Sequence, residues 1–411
     1  MAIIGIRQLC RLFLGCSLDF HPGPIVSENY APMELPFGPD AYAANLALLA
    51  RDIQAQGLSA AILFDPENIY WLTGYRSIGY FTFQCLAVTA EGGITMVSRQ
   101  VNHAVATGNR NIGRFVAVDD VSDPIEVLAR FLQDSLPSGG IGLETSSGYL
   151  SVAGYKQLHA RLGARLADWQ GPIEQARTIK TPEQLAFMRQ AADAAVAGID
   201  AAVRAVAVGA TENDLAAAML HGATKAGSEY TRVPLVAAGR ASGVCFTTWQ
   251  RRELKRGDLV FLEAAANINR YHAMISRNCV VGRATDRQRH LAGTVIAALD
   301  SAIEAIRPGV TSAQVDQACR AVFERAGLGR YFDHRTAYGI GIGFPPNWAE
   351  GRFLALRPDD PTVLQPGMTF HLVPSLFMPE GGFMASESVA VSEDGCEVLT
   401  HYPRELLEID A

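Results

Sequence analysis

Two glutamates of this sequence follow apolar stretches that are typical of buried strands. Glu263 comes directly after Leu259–Leu262, and Glu387 lies between Ala385 and Val389. A buried carboxylate is unfavourable unless it is paired or protonated. Two carboxylates that face one pocket have pKa values that move apart, so that one can act as a base and the other as an acid. We therefore expect both glutamates to be catalytic. The alternative is that each only binds an arginine or backbone donors.

The segment 335–350, RTAYGIGIGFPPNWAE, combines residue types that suit a small polar ligand. Its three alternate glycines permit a close approach of the backbone or a positive φ. Trp348 can stack on a planar cation, and Glu350 can pair with the charge of that cation. We take Arg335, Tyr338, Trp348 and Glu350 as candidate substrate-binding residues. The alternative is a rigid loop that packs Trp348 into the core.

Two histidines occupy strand positions from which they can reach the same pocket. His371 lies two residues before Val373, and His272 lies two residues before Met274. Side chains alternate along a strand, so each pair lies on one face of its sheet. Either histidine can transfer a proton or contact a substrate. The alternative is that each is a satisfied core histidine.

Three segments resemble, in order and spacing, the C-terminal half of the creatinase, aminopeptidase P and prolidase family. They are 257–278 (GDLVFLEAAANINRYHAMISRN), 335–350, and 367–388 (GMTFHLVPSLFMPEGGFMASES). The stretch YGIGIGFPPNWAEG is similar to the signature of the ectoine hydrolase-like subgroup. The resemblance extends over nearly all of residues 35–405. It implies an α+β chain in which a smaller α/β creatinase-like domain precedes a pita-bread domain with a curved antiparallel sheet covered by helices.

The resemblance also implies positions for two metal ions, which the family usually holds with Asp, Asp, His, Glu and Glu. In this chain those positions are Glu263, Met274, Tyr338, Val373 and Glu387. Met274 is a soft thioether, Val373 has no donor atom, and Tyr338 is a poor ligand for zinc or manganese. A stable site with protein ligands needs roughly four donors, or three and a water. We therefore expect no bound metal and no other cofactor, as in creatinase.

An alternative to the metal-free prediction is a rearranged site for a single metal ion. Its ligands would be histidines that lie near these positions in the sequence: His272, His334 and His371.

At two positions the residue type differs from that expected in the ectoine hydrolase-like subgroup. Phe246 stands where the subgroup and creatinase place a proton-transfer histidine, and Met274 stands where we expect an acid in an ectoine hydrolase. Both residues remain candidates for contact with the substrate, but they weaken the assignment of mechanism and substrate. Arg277 resembles the arginine of the family's strand motif, which implies a structural role.

An aromatic group in the N-terminal half, within GYFTF at residues 79–83, has a role implied by the resemblance. Creatinase-like chains form homodimers in which the N-terminal domain of one subunit overhangs the pocket of the other. Tyr80, Phe81 and Phe83 are therefore candidates to close over the substrate across the interface. The alternative is that these rings belong to the core.

The predicted elements divide the chain into three parts. Residues 1–34 form a poorly ordered extension, residues 35–175 an α/β domain, and residues 176–405 the catalytic domain. A signal peptide or an over-long start before Met33 is the alternative for the extension. The pattern predicts helices at 39–57, 123–134, from Pro182 to about 206, from Thr211 to about 227, and at 286–306 and 312–327. It predicts strands at 60–64, 84–89, 94–98, 139–142, 233–238, 258–265, 278–281, 369–373 and 387–391, and a turn at 65–68.

Composition narrows the class of protein. Hydrophobic residues make up 49% and charged residues 19% of the 411 residues, which is typical of a globular protein large enough for two domains. The net charge of -7 disfavours nucleic acid as a partner. No apolar run reaches the roughly 18 residues of a membrane span. The seven cysteines lack CxxC spacing, and we expect reduced, mostly buried thiols in a cytoplasmic protein.

These patterns lead to three functional hypotheses. The first is a metal-independent hydrolase that cleaves a C–N bond in a small polar amidine, guanidino or amide substrate. In that mechanism Glu263 or Glu387 activates water and the other glutamate protonates the leaving nitrogen. The second is a metallo-dipeptidase of the prolidase type, and the third is a non-catalytic protein that binds a metabolite.

Overall fold

The structure is a computed structural model, and it describes residues 32–136, 138–230, 234–350 and 352–410. Most of the predicted extension, at residues 1–31, lies outside these ranges. Among the helices within these ranges, none is long and apolar enough to cross a membrane.

The helices alternate with strands in the first half of the chain and then occur in two pairs. In chain order, α1 to α10 are Pro39–Ala55, Pro66–Thr73, His103–Thr107, Pro124–Ser135, Val152–Leu162, Ile173–Thr178, Pro182–Arg204, Glu212–Lys225, Asp286–Ala305 and Ser312–Arg325.

The strands form an N-terminal sheet and several C-terminal sheets. In chain order, β1 to β17 are Leu58–Leu63, Gln84–Thr89, Ile94–Arg99, Arg114–Val118, Gly140–Leu143, Leu166–Asp168, Leu235–Ala238, Leu259–Ile268, Tyr271–Val281, Ala337–Gly339, Ala355–Leu356, Thr369–Leu372, Ser375–Met378, Gly381–Met384, Glu387–Val391, Cys396–Val398 and Leu407–Ile409.

The N-terminal sheet is mixed and has the order β4-β3-β2-β1-β5-β6. Its parallel pairs are β3 with β4, β1 with β5, and β5 with β6, and helices connect these strands along the chain, as the α/β prediction requires. One local prediction is wrong. Residues 65–68 do not form a turn, because Pro66 begins helix α2 with Asp65 at the N-cap position. Proline is well suited to the first position of a helix, where its missing N–H has no intrahelical partner.

The C-terminal domain contains two main sheets, with orders β17-β9-β8-β7 and β11-β10-β12-β15-β16. Isolated bridges connect Tyr271 and Ser276 of β9 to Ile342, which follows β10, and to Ser386, which precedes β15. Helices α7 and α8 pack on the first sheet, and helices α9 and α10 pack on the second. The arrangement confirms the expected α+β class. The predicted strand at 278–281 is only the end of the long strand β9.

Each of the four long C-terminal helices starts with a threonine that caps it. The threonine side chain accepts a hydrogen bond from the backbone of the third helical residue, whose side chain bonds back to the threonine N–H. Such reciprocal bonds satisfy two backbone donors that have no partner within the helix. The four threonines are Thr181, Thr211, Thr285 and Thr311.

Helices α7 and α8 approach each other closely because Gly222 has no side chain. A Cβ atom at Gly222 would lie 2.6 Å from the carbonyl oxygen of Ala197 and 2.8 Å from the Cβ of Ala201. Ala197 is part of the helix backbone, so it cannot rotate away as a flexible side chain would. Gly222 therefore sets the distance between the two helices that cover β8 and β9.

Gly222→Ala is expected to destabilise the protein by about 1–3 kcal/mol, because the added methyl group overpacks the contact between α7 and α8. Gly293→Ala in α9 is the matched control, since no atom lies within 4 Å of the added methyl. We expect this control to stabilise the protein by about 0.4–1 kcal/mol through the entropy of the unfolded chain. Urea unfolding followed by circular dichroism measures both. Equal stabilities of the two variants would contradict the packing argument.

Candidate active site

A cavity of about 680 Å³ opens in the C-terminal domain, between strands β8, β13 and β14 and the loops at 242–247 and 330–335. Its size is in the range of sites for small molecules. Several of the residues singled out on the sequence line it together: Phe246, Glu263, Arg335, Tyr338, Trp348 and Val373.

Glu263 projects from β8 into the cavity wall. It lies opposite Leu235 of β7 and Ser276 of β9, and only 4% of its surface is exposed. Its neighbours Leu262 and Ala264 face the other way and join the core under helices α7 and α8. Alternation along the strand therefore places the carboxylate on the cavity face.

Tyr338 is the centre of a hydrogen-bonded group beside Glu263 in the cavity. Its hydroxyl oxygen lies 2.7 Å from Nδ1 of His371 and accepts a hydrogen bond from Nε1 of Trp348 at 3.1 Å. Nε2 of His371 lies 2.7 Å from the hydroxyl of Ser386, which accepts a hydrogen bond from the backbone N–H of Ser276 at 2.7 Å. His371 is fully buried behind Tyr338 and is not part of the cavity lining. Its imidazole therefore influences the cavity through its hydrogen bond with Tyr338.

Arg335 supplies positive charge to the cavity. Its guanidinium carbon lies 5.0 Å from the centre of the Tyr338 ring, which is within the range of a cation–π contact. The adjacent His334 is held by the carbonyl of Arg335 at 2.8 Å and by the hydroxyl of Ser375 at 2.6 Å. Burial lowers the pKa of His334, so this imidazole favours its neutral form.

The mouth of the cavity is formed by Val244, Cys245 and Phe246. The Phe246 side chain is 79% exposed, and its backbone has a φ of 61°. A bulky residue with positive φ is a strained conformation that is concentrated at ligand-binding loops. Burial and the nearby carboxylate of Glu263 raise the pKa of the Cys245 thiol, so this cysteine favours its protonated form.

Glu387 does not share the cavity with Glu263, so the predicted pair of catalytic glutamates is wrong in its second member. The carboxylate of Glu387 is fully buried and receives a hydrogen bond from Nη2 of Arg277 at 2.6 Å and another from the hydroxyl of Thr400. Burial raises the pKa of Glu387, while Arg277 and Thr400 oppose this rise. Alternation explains the error: Ser386 is the residue that points toward His371 and β9, and Glu387 points the other way.

Glu350 does not line this cavity either, and its predicted contact with a substrate is replaced by structural ion pairs. Its carboxylate lies 3.0 Å from Nη2 of Arg177 and 2.5 Å from Nζ of Lys180, with all three side chains buried. A Cβ atom at Gly341 would lie 2.8 Å from Oε1 of Glu350, so the glycine permits this approach. The ion pairs tie the 335–350 loop to the segment that links the two domains.

His272 and Met274 lie on the same face of the sheet as Glu263, but neither lines the cavity. Nδ1 of His272 donates to the carbonyl of Arg270 at 2.9 Å, and burial lowers the pKa of the imidazole to about 4. Met274 is fully buried in an apolar cluster that also contains Trp348. The GIGIG loop packs against His272, whose backbone N–H donates to the carbonyl of Gly341 at 2.9 Å.

The three N-terminal aromatic residues differ in their contacts within the chain. The Tyr80 hydroxyl donates to the carbonyl of Pro345, Phe83 packs edge-on against Phe64, and Phe81 is 76% exposed. None of the three is among the described residues that line the cavity.

The residues at the family's metal positions do not fit a pair of divalent cations. Glu263 supplies a carboxylate, but Val373 supplies no donor, and the Tyr338 oxygen is engaged by two nitrogen atoms. In the part of the chain that the structure describes, the group of three acidic, histidine or cysteine side chains close enough to share an ion lies elsewhere, at the domain junction. It consists of Asp65, Glu144 and Glu174. The three histidines of the alternative single-metal site are likewise not gathered around one point.

Sequence reasoning missed Ser386 and Cys245. Ser386 was not considered as a site residue, and its contact with His371 reveals it. Cys245 was expected to be buried, yet it is exposed at the cavity mouth. His334 was considered only as a metal ligand, and it lines the cavity as a hydrogen-bonded imidazole.

Comparison with known proteins identifies the family. Residues 46–179 match the Creatinase/Prolidase N-terminal domain, and residues 186–395 match Metallopeptidase family M24. The chain therefore belongs to the M24 family of hydrolases, and its two domains are creatinase-like and pita-bread domains.

Relatives with assigned names fall into two groups. The chain is 30% identical to the ectoine hydrolase of Halomonas elongata over 400 residues, which cover 91% of this chain and 98% of that protein. It is 29% identical to the Xaa-Pro dipeptidase of Pyrococcus furiosus over 364 residues, which cover 88% and 99%.

Solved structures agree on the fold. A dipeptidase from Pyrococcus horikoshii has a TM-score of 0.75 at 24% identity and covers 89% of this chain and 100% of its own. A prolidase from Thermococcus sibiricus has a TM-score of 0.79 at 20% identity and covers 90% and 99%. At these identities the likeness establishes the architecture alone.

Glu387→Gln is expected to destabilise the protein by about 3–5 kcal/mol, because it leaves the buried Arg277 without its anionic partner. Glu263→Gln is the matched substitution in the cavity, and we expect it to lower the thermal midpoint by less than Glu387→Gln does. Thermal unfolding of both variants measures the difference. A Glu387→Gln protein with wild-type stability would show that the ion pair does not hold this region together.

Proposed function

We propose that this protein is a hydrolase that cleaves a C–N bond in a small polar substrate of the amidine, guanidino or amide type, without a divalent metal in the cavity. The observation that carries the proposal is Glu263, a buried carboxylate on the cavity wall of an M24 fold whose other metal positions do not supply a ligand set. The second acid at the rim, Asp333, is exposed to solvent.

In the proposed reaction Glu263 acts as the general base. Its carboxylate takes a proton from water as the water oxygen attacks the carbon of the C–N bond. General base catalysis of this kind contributes about 10²–10⁴-fold to the rate. The apolar side chains of Phe261, Val373 and Phe377 also line the cavity, where they exclude solvent and strengthen the effect of the charge.

The charges of the cavity favour a substrate that carries both signs. Arg335 can receive a carboxylate, while Glu263 and the Trp348 ring can receive a delocalised cation. A small zwitterion places both groups within one cavity of about 680 Å³. The likeness to ectoine hydrolase makes ectoine the first compound to test, followed by guanidino acids such as creatine.

An Xaa-Pro dipeptidase activity is the second candidate, and the similarity to the Pyrococcus furiosus dipeptidase favours it. A metallo-dipeptidase needs ligands that Met274 and Val373 do not provide. The metal requirement therefore separates the two candidates.

Glu263→Gln is expected to lower kcat on the hydrolysed substrate by at least about 10²-fold, since an amide cannot accept the proton of water. Ectoine, creatine and proline dipeptides are incubated with wild type and variant, and products are measured by mass spectrometry. Wild-type turnover should survive dialysis against a chelator. Stoichiometric metal with turnover lost on chelation would instead establish the dipeptidase. Tight binding of one of these compounds without any product would instead indicate a non-catalytic protein that binds a metabolite.

We propose that the chain forms a homodimer through its N-terminal domain, which thereby covers the partner's cavity. An exposed apolar group supports the proposal, since Ile78, Phe81 and Val101 are each more than 70% exposed. The cavity mouth offers a complementary apolar surface in Val244 and Phe246. Burial of such patches is a common driving force for association.

Phe81→Asp is expected to shift the protein from dimer to monomer, because a charge replaces a ring in the apolar contact. Val152→Asp, at a comparably exposed valine on helix α5, is the matched control and should leave the dimer intact. Light scattering after size-exclusion chromatography measures the mass. A wild-type monomer at micromolar concentration would refute the dimer.

We also propose that the protein works in a reducing compartment, in agreement with the cytoplasmic prediction. The cysteines of the described ranges are free, with Cys85, Cys279 and Cys319 buried apart from one another. Disulfides are rare in the cytosol, and free buried thiols are typical there.

A further inference from the structure

Glu387 does not line the cavity, so the proposed reaction still needs a group that protonates the leaving nitrogen. The hydrogen bonds around Tyr338 indicate which group takes that role. Trp348 is a pure donor, so its Nε1–H donates to the Tyr338 oxygen. The second contact of this oxygen, with Nδ1 of His371, depends on which ring nitrogen of the histidine carries the proton.

The buried hydroxyl of Ser386 determines the tautomer of His371. This hydroxyl oxygen accepts from the N–H of Ser276, and within the described residues the acceptor in reach of its own proton is Nε2 of His371. Buried hydroxyl groups satisfy their hydrogen-bonding capacity in nearly all proteins. Ser386 therefore donates to Nε2, which leaves the imidazole proton on Nδ1. The Nδ1–H then donates to Tyr338.

Two N–H donors consequently point at the Tyr338 oxygen, and the Arg335 cation lies against the face of the same ring. All three favour a negative charge on the phenol oxygen. Burial lowers the pKa of His371 to about 3, so the imidazole remains a neutral donor at physiological pH. The side chain is thus arranged to give up its proton to a group in the cavity.

We propose that Tyr338 is the general acid of this hydrolase, and that His371, Trp348 and Ser386 are its positioning residues. The proposal rests on the proposed function. Water gives its proton to Glu263 and its oxygen to the substrate carbon. The C–N bond breaks, its electron pair passes to nitrogen, and the Tyr338 proton passes to that nitrogen. Transfer of the proton from Glu263 to the phenolate restores both groups, so the net change is the addition of one water across the bond.

The tautomer of His371 can be tested without any substrate. Protein labelled with ¹⁵N-histidine is studied by long-range ¹H–¹⁵N correlation, and His371→Asn assigns the signal. We expect a neutral ring with its proton on Nδ1. His272 is an internal reference for that tautomer, because its Nδ1 faces the carbonyl of Arg270, which can only accept. A proton on Nε2 of His371 would overturn the proposal, since Tyr338 would then donate to the histidine.

The catalytic role is tested with ectoine as the probe. Tyr338→Phe is expected to lower kcat by at least about 10²-fold with KM changed less than threefold. Tyr155→Phe, on the surface of α5, is the control for loss of a phenol and should retain wild-type kcat. A Tyr338→Phe enzyme within threefold of wild-type kcat would overturn the assignment. If the wild type does not hydrolyse ectoine, ectoine is not the substrate. The tautomer measurement still shows whether His371 donates to Tyr338 or accepts from it.

Ser386→Ala tests the positioning separately from the acid. Removal of the hydroxyl takes away the donor to Nε2, so we expect the His371 proton to move to Nε2 in the same spectra. We expect kcat on ectoine to fall about tenfold as Tyr338 turns its proton toward the histidine. An unchanged tautomer in Ser386→Ala would contradict the role given to this serine.

Discussion

The buried guanidinium of Arg277 holds together the part of the fold in which the site is built. It donates to Glu387 and also to the backbone carbonyls of Ser276, Ser386, Tyr402 and Pro403. These acceptors come from β9, from β15 and the residue before it, and from the C-terminal segment, so one side chain connects both main sheets. A buried cation with so many fixed acceptors permits few alternative arrangements. The relative position of the two sheets follows from it.

This connection between the sheets places the two parts of the site next to each other. Glu263 belongs to the first sheet, and the group of Tyr338, His371 and Ser386 belongs to the second. The bridge between Ser276 and Ser386 lies directly between them. A charged group in a cavity that is partly removed from solvent acts more strongly than it would in water. The structural ion pair of Glu387 on β15 and the chemistry proposed for Glu263 on β8 are therefore different uses of carboxylates from the two sheets.

Much of the fold was predictable from local patterns. The threonine caps and apolar periodicity at Pro182–Arg204 and Ser312–Arg325 predicted those helices to within a few residues. The site was only partly predictable. Glu263, Tyr338 and Trp348 do line one cavity, and their sequence motifs indicated this. Glu350 does not line the cavity, although its motif indicated a contact with the ligand. Its buried carboxylate is instead paired with the cations of Arg177 and Lys180 in the linking segment.

The sequence by itself determined the family, the α+β class and the wall of the cavity that carries Glu263, because these depend on local periodicity and on motifs of fixed spacing. Only the tertiary structure decided the role of Glu387. In the segment Ser386–Ser388 all three side chains are polar and buried, so no alternation of polar and apolar residues indicates which face meets the cavity. The side-chain direction is set by the pairing of β15 with β12 and by Arg277, which lies 110 residues away in the chain. A one-residue difference in that pairing exchanges the two faces, and only long-range contacts resolve it.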